Sequence, residues 1–315
     1  MGTLASPGAA GVDTKPSFGS RLRKWWSGID WRTTGVAYLF MLPALVIIAL
    51  FVFWPIIYGL PLAFTNYSVV GETRWVGLDN FRRLMSDPYF WEALKNSVLY
   101  VAVVPVIQIG AILLAVLVNR PLKGVGIFRT AYYLPVVTSS IAAGIAWKWL
   151  YDYKGIINAP LLQWGIIDKP IYFLSDTRLA LWSVMAMTAW KGFGYYMVIY
   201  LAGLQSIPKE LEEAAAIDGA GKVGVLRHVT IPLLKPFALI ATLMSVMGAL
   251  RVMEEVMAMT GGGAGTNVVA LYSYQTAFQH FEFGYGAALG WVMALIIFAF
   301  SLITFRLNKG GFRPE

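Results

Sequence analysis

Six long apolar runs limit what this chain can fold into: residues 36–60, 97–119, 131–151, 179–204, 237–259 and 285–307. A helix needs about 20 apolar residues to cross the hydrocarbon core of a bilayer. Only 13% of the residues are charged and 58% are hydrophobic, whereas a soluble domain carries roughly 25% charged residues. One charge does not disqualify a run. About fifteen apolar side chains, each worth a few tenths of a kcal/mol, outweigh a single cation costing about 3 kcal/mol, so the fourth run accommodates Lys191. The expected fold class is all-α, a polytopic membrane helix bundle with six transmembrane helices. Pro43, Pro55, Pro105 and Pro135 fall inside the runs. Neighbouring helices must then satisfy the carbonyls these prolines free, which favours a packed bundle.

The basic residues orient the chain. With the N-terminus in the cytoplasm, fifteen Lys and Arg fall on cytoplasmic segments, against seven on outer loops, and the loop 260–284 has none. Both termini are therefore expected inside. The formal net charge of +8 would suggest nucleic acid in a soluble protein. Here the basic residues flank apolar runs, where they orient the chain and touch anionic lipid. Residues 1–16 are rich in Gly, Ala and Pro and read as a disordered tail. The basic, aromatic stretch 20–32 reads equally as a helix on the membrane surface or as an ordinary flank. No secretory signal is expected, because the first apolar run is too long. The chain has no cysteine, so disulfides, thiolate metal sites and cysteine catalysis are excluded. His228 and His280 stand far apart, and no metal site and no catalytic residue is expected. The predicted division is a tail over 1–32, a six-helix domain over 33–309 with a long cytoplasmic loop at 205–236, and a tail over 310–315.

That loop carries the most information. Pro208 suits the first turn of a helix, where its missing N–H costs nothing. Glu210, Glu212 and Glu213 load that turn with negative charge, which complements the helix dipole. Gly219 is placed to end the helix with a turn. A second short helix is predicted over about 221–229, leading to Pro232. Composition alone reads the pair either as a solvated amphipathic loop or as a protruding knob whose alanines let a partner approach closely.

Glu213-Ala214-Ala215, Asp218-Gly219-Ala220, Leu226, Val229, Ile231, Pro232 and Pro236 resemble, in order and spacing, the EAA motif of bacterial ABC-importer permeases. Phe53-Trp54-Pro55-Ile56-Ile57-Tyr58, Val76-Gly77-Leu78-Asp79-Asn80-Phe81, the stretch Phe90–Ser97, Ala202–Pro208 and Thr260-Gly261-Gly262-Gly263 are similar to sugar permeases of the maltose/glycerol-phosphate type. Glu254-Glu255-Val256 departs from that pattern, where an aspartate beside an apolar residue is commoner. The resemblance implies a type I importer permease fold in a bacterial inner membrane. The implied partners are a second homologous permease subunit, two cytoplasmic ATPase subunits and an extracytoplasmic solute-binding protein, with a carbohydrate as cargo and no nucleic acid. Glu213, Ala214, Ala215, Asp218, Gly219 and Ala220 would couple the chain to an ATPase. No cofactor is expected in this chain. It has no Gly-x-x-x-x-Gly-Lys-[Ser/Thr] loop, because Gly219-Ala220-Gly221-Lys222-Val223 lacks the first glycine and the magnesium-binding hydroxyl. ATP and Mg would bind the partner ATPases, and the chain is not expected to be an enzyme.

Charges inside apolar runs face protein or water rather than lipid. Lys148 can snorkel to the outer surface. Lys191 lies about 12 residues from the end of its run, roughly 18 Å deep in a core of about 30 Å, near the midplane. At 100° per residue it shares a face with Tyr195, while Phe193, Tyr196 and Tyr200 lie nearly opposite and Trp190 between. Trp190, Lys191 and Tyr195 are read either as part of a substrate pathway or as helix packing around one structural lysine. Arg251, Glu254 and Glu255 can meet on one helix, as an internal ion-pair cluster or as part of an outer gate or partner contact; Arg251 and Glu255 are the pathway candidates. An ion-coupled secondary transporter is the rival reading. It has against it the absence of an internal repeat.

Overall fold

The computed structural model describes residues 31–68, 71–119 and 123–307. The tail 1–30 with most of the 20–32 stretch, and the tail 310–315, lie outside the described residues. Trp31 and Arg32 already belong to the first helix. The chain divides into two compact units, Met1–Tyr58 and Gly59–Glu315.

Helix α1, Arg32–Leu62, is apolar and 31 residues long. A π turn, Ala49–Phe53, interrupts it, and the Trp54 N–H reaches back to the Ala49 carbonyl. Pro55 gives the reason: it has no N–H to give and its ring crowds the carbonyl four residues earlier, so the turn widens locally.

Apart from isolated bridges, the regular secondary structure of the second unit is helical among the described residues. Its elements are α2 (Asp79–Ser86), α3 (Pro88–Tyr100), α4 (Val103–Val118), α5 (Val125–Val137), α6 (Ser140–Leu150), α7 (Asn158–Gln163) and α8 (Ala180–Ser206). They continue as α9 (Lys209–Ile217), α10 (Lys222–Leu233), α11 (Lys235–Leu250), α12 (Glu254–Met259), α13 (Val269–Phe278) and α14 (Phe283–Leu307). Among the described residues, three helices are long and apolar enough to cross a membrane: Arg32–Leu62, Pro88–Val118 and Phe283–Arg306. The bent pair α10–α11 makes a fourth.

The run 97–119 passes from α3 to α4 within one span, but two of the six apolar runs are broken outright. The run 131–151 breaks at Thr138 and Ser139, whose backbones are extended. The run 237–259 breaks after Leu250 and resumes at Glu254. The second span begins at Pro88, well before residue 97. The stretch 260–284, expected as loop, contains α13. The second short helix does not stop at Pro232 but runs to Leu233 and turns by 65° into α11. Pro232 and Pro236 both lack an N–H and so remove two rungs of the ladder around Leu234, where the helix bends.

Glycines let α8 lie close to its neighbours. A Cβ on Gly110 of α4 would stand 2.4 Å from the Phe193 ring, and one on Gly192 would stand 2.9 Å from Ile107. Gly194 faces the Tyr132 carbonyl of α5, and Gly203 faces Leu234 and Phe237 at the α10–α11 bend. Two asparagines from the sugar-permease-like stretches bind backbone. Buried Asn80 donates to the Ala63 and Thr65 carbonyls at 2.9 and 2.8 Å. Asn96 donates to the Gly265 and Asn267 carbonyls at 2.9 and 2.8 Å, so the glycine-rich loop is held in place and is not the freely flexible turn its composition suggests.

Candidate functional site

A cavity of about 260 Å³ lies among α4, α5, α8, α11 and α12. Three of the five residues singled out in the sequence, Lys191, Tyr195 and Glu255, line it. So do Thr188, Tyr196 and Ser245. Tyr196 is a correction: the helical wheel sets it nearly opposite Lys191, yet its ring meets Tyr195 edge-on at 5.0 Å and reaches the same wall. Trp190 is a second correction; it does not line the cavity and instead packs on Trp147 at 5.6 Å. Arg251 is a third. It sits exposed in the break between α11 and α12, off the cavity wall, and no ion pair joins it to Glu254 or Glu255 among the described residues. The break separates residues that a continuous helix would align.

Lys191 has a structural partner that its sequence position could not show. Its Nζ donates to the Thr138 carbonyl at 3.0 Å and to Ser140 Oγ at 2.8 Å. These groups flank the break between α5 and α6. A freed carbonyl inside an apolar bundle costs free energy unless a donor meets it, and a cation also suits the negative end of α5. Two of the three ammonium protons are engaged there. The packing and pathway readings of Lys191 therefore meet at one atom: it stabilises a helix break and borders a cavity. Below the wall, Tyr200 donates to Gln108 Oε1 at 2.5 Å and Gln108 donates to Ser245 Oγ at 2.8 Å, joining α8, α4 and α11. The cavity offers a cation, a carboxylate, hydroxyls and ring faces. That set can hydrogen-bond a hydroxylated molecule and cover its C–H surfaces.

The loop 205–236 folds as a knob. Pro208 precedes α9, and Glu210 and Glu212 lie in its first turn. At its end the Gly219 N–H bonds the Ala216 carbonyl at 3.1 Å and the Ala220 N–H bonds the Ala215 carbonyl at 2.9 Å. This pair of bonds is a Schellman stop, which needs a left-handed residue at Gly219, and Gly219 has φ +88°. Glu213, Ala214, Asp218 and Gly219 are exposed, while Ala215 and Ala220 are half-buried. Glu212 accepts from Thr230 Oγ1 at 3.3 Å and ties α9 to α10. The most exposed apolar side chains of the knob, Ile217 at 86% and Val223 at 78%, escaped the sequence reading. At helix ends such residues read as ordinary packing positions, and only the fold shows that nothing in the second unit covers them.

A third cluster was invisible in sequence. Asp87 caps α3 through the Tyr89 N–H at 2.9 Å and accepts from the Tyr272 and Tyr285 hydroxyls at 2.6 and 2.5 Å. Arg83 pairs with Glu282 at 2.7 Å and lies 4.0 Å from the Tyr285 ring centre. Burial pushes the Asp87 carboxyl up, but hydrogen bonds from Tyr272, Tyr285 and the Tyr89 and Phe90 amides outweigh it and hold the group below its ordinary value. A carboxyl depressed on folding adds stability above its unfolded pKa, and that stability is lost as pH falls through the folded pKa. Thermal unfolding of the solubilised protein, followed from about pH 7 down to about pH 2, should therefore show two things in Asp87→Asn. The variant should melt lower at neutral pH, and its melting temperature should fall less steeply below about pH 4. Equal slopes would mean that Asp87 is not stabilised as a carboxylate.

The family model for the binding-protein-dependent transport system inner membrane component matches residues 19–310. The chain is 36% identical over 294 residues to the lactose transport system permease protein LacF of Rhizobium radiobacter, covering 91% of this chain and 96% of that protein. It is 32% identical over 302 residues to the arabinooligosaccharides transport system permease protein AraP of Bacillus subtilis, covering 92% and 93%. Among solved structures, a chain of a bacterial ABC transporter involved in alginate import superposes with TM-score 0.79 at 23% identity, over 93% of this chain and 100% of that one. A chain of an alginate transporter in complex with a pentasaccharide-bound periplasmic protein superposes with TM-score 0.78 at 24% identity, over 89% and 96%. At those identities the likeness concerns the fold, which is that of an ABC importer permease. Matched over nearly its whole length, this chain belongs to the family of inner membrane components of binding-protein-dependent transport systems, and is a multi-pass membrane permease.

Proposed function

We propose that this permease is one of two homologous subunits that together line the path of an ATP-driven importer for a sugar or sugar derivative. The observation that carries the reading is the α9 knob: an exposed helix closed by a left-handed glycine, with Ile217 and Val223 bare at its tip. A partner covering that tip would gain about 25 cal/mol per Å² of apolar surface buried. The partner of choice is a cytoplasmic ATPase, which would hold ATP and Mg, with a second copy on the other permease subunit. Glu213 can reach a basic group or backbone amides on it, and Ala214 permits close approach. An extracytoplasmic binding protein would deliver the cargo, and both termini would lie in the cytoplasm. The relatives named for lactose and for arabinooligosaccharides support the substrate class. Lys191, Tyr195 and Glu255 would border the path.

The test uses the whole complex in vesicles, in a chain that has no native cysteine. Tyr195→Cys and Glu255→Cys should each retain ATP-dependent uptake of lactose or arabinooligosaccharides. A membrane-impermeant maleimide should then cut uptake at least about tenfold, which corresponds to about 1.4 kcal/mol on the limiting step. The permease alone should hydrolyse no ATP. Unchanged uptake after complete labelling of both cysteines would remove the cavity from the path, and ATP turnover by the permease alone would overturn the division of labour.

A further inference from the structure

Residues 151–179 join α6 to α8 and fold into a defined loop. Asn158 is fully buried; its Nδ2 donates to the Asp152 and Ile171 carbonyls at 3.1 and 2.9 Å, and its Oδ1 accepts from the Ile171 N–H at 2.9 Å. One side chain thus staples the outgoing and returning halves. After α7 the chain turns at Gly165, φ +66°, and the Ile166 N–H bonds the Leu161 carbonyl at 2.9 Å. Both ends are tied low. Tyr151 donates to the Ser183 carbonyl in the first turn of α8 at 3.2 Å, and the Phe173 ring stands 4.8 Å from the Tyr151 ring. The loop is therefore anchored level with the end of α8, a 27-residue helix long enough to cross a bilayer.

Beside the exposed charges Asp152, Lys154, Asp168, Lys169, Asp176 and Arg178, this loop turns several large apolar side chains outward. Trp164 is 72% exposed and Ile166 63%, at the tip; Ile156 is 74% exposed, and Tyr153 and Tyr172 are exposed beside it. Just before the loop, Trp149 in the last turn of α6 is 74% exposed as well. Trp and Tyr are enriched where hydrocarbon meets water, because one end of each ring is apolar and the other polar. A binding protein docks and leaves, and would return this tip to water in every cycle. Lipid would cover it permanently.

We propose that the α6–α8 connection lies in the headgroup layer of the bilayer, with Trp164 and Ile166 inserted among the lipids, and takes no part in docking the binding protein. The inference rests on membership of the membrane family and not on the nature of the cargo. The test places single cysteines at Trp164 and Ile166 in the cysteine-free chain, with Glu72→Cys, an exposed and polar loop position, as control. Each is labelled with a bimane fluorophore in the assembled complex, in phosphatidylcholine nanodiscs containing headgroup-nitroxide lipid. Quenching by the nitroxide lipid at 164 and 166 should exceed that at 72 by about twofold or more. Quenching no greater than at 72, with ready access to aqueous iodide, overturns the proposal and leaves the tip to a soluble partner. Shielding from both quenchers also overturns it and assigns the tip to the second permease subunit.

Discussion

Replacing Gly219 with Asp is expected to abolish coupled uptake while leaving the permease inserted in the membrane. Gly219 ends α9 at φ +88°, and a Cβ built there meets no atom within 4 Å among the described residues. Any loss therefore comes from two sources outside local packing. One is backbone strain: a residue with a Cβ in the left-handed region costs roughly 1–2 kcal/mol, although Asp tolerates it better than most. The other is a new carboxylate on the surface offered to the ATPase. Gly219→Ala carries the strain without the charge and separates the two, so it should weaken uptake severalfold where Gly219→Asp drops it below detection. Glu213→Lys, which changes charge at another exposed position of the knob, should give a milder defect. The measurements are sugar uptake and substrate-stimulated ATP hydrolysis in reconstituted vesicles, with insertion checked by protease accessibility. Normal coupled transport in Gly219→Asp would take away the role proposed for α9.

Replacing Gly194 should do the opposite and damage the bundle before it reaches transport. A Cβ at Gly194 would stand 2.0 Å from the Tyr132 carbonyl oxygen and 3.0 Å from Val136. The obstacle is backbone of α5, so no rotamer change relieves it, and α5 or α8 must move bodily. Overpacking a tight core commonly costs about 1–3 kcal/mol even where side chains can adjust. Here Val136 and Lys191 border the same cavity, and Lys191 holds the neighbouring break. Gly194→Val should sharply lower the melting temperature of the detergent-solubilised protein and the yield of monodisperse material, whereas Gly248→Val, at an exposed position with open space around its Cβ, should change little. Wild-type stability in Gly194→Val would show that α5 and α8 do not approach so closely in the membrane.

The contrast between these sites follows what sequence can express. The knob was legible because its signals are local: a proline before the first turn, acids within it, and a glycine where the helix must stop all lie inside about a dozen residues. The apolar runs were legible for the same reason. The breaks at Thr138–Ser139 and Arg251–Met253 were not. Thr138 and Ser139 carry no stop signal strong enough to interrupt an apolar run, and the break is held by Lys191, some fifty residues further on. The Asp87 cluster joins residues 185 and 198 positions apart, a pairing that no window along the chain contains. Of the five pathway candidates, three met at the cavity. Helical periodicity placed Lys191 and Tyr195 correctly on α8, and failed for Arg251 because it assumed a helix that does not continue.

The 65° turn at Leu234 makes α10 and α11 the two arms of a bell crank. At 1.5 Å per residue the arms are about 18 and 24 Å long. A Cβ on Gly203 of α8 would stand 2.8 Å from Leu234 and from Phe237, so α8 packs closely on the corner. Pro232 and Pro236 remove two donors at the corner, while the Leu234 N–H bonds the Thr230 carbonyl at 3.0 Å and the Ala238 N–H bonds the Leu234 carbonyl at 2.9 Å, so the two arms stay joined through the bend. If α10 pivots by about 10°, the tip of its arm travels about 3 Å and the far end of α11 about 4 Å. That far end, at Gly248 and Ala249, is cavity wall. If a partner grasps the knob as proposed, such a pivot would reach the cavity turned through the angle of the bend.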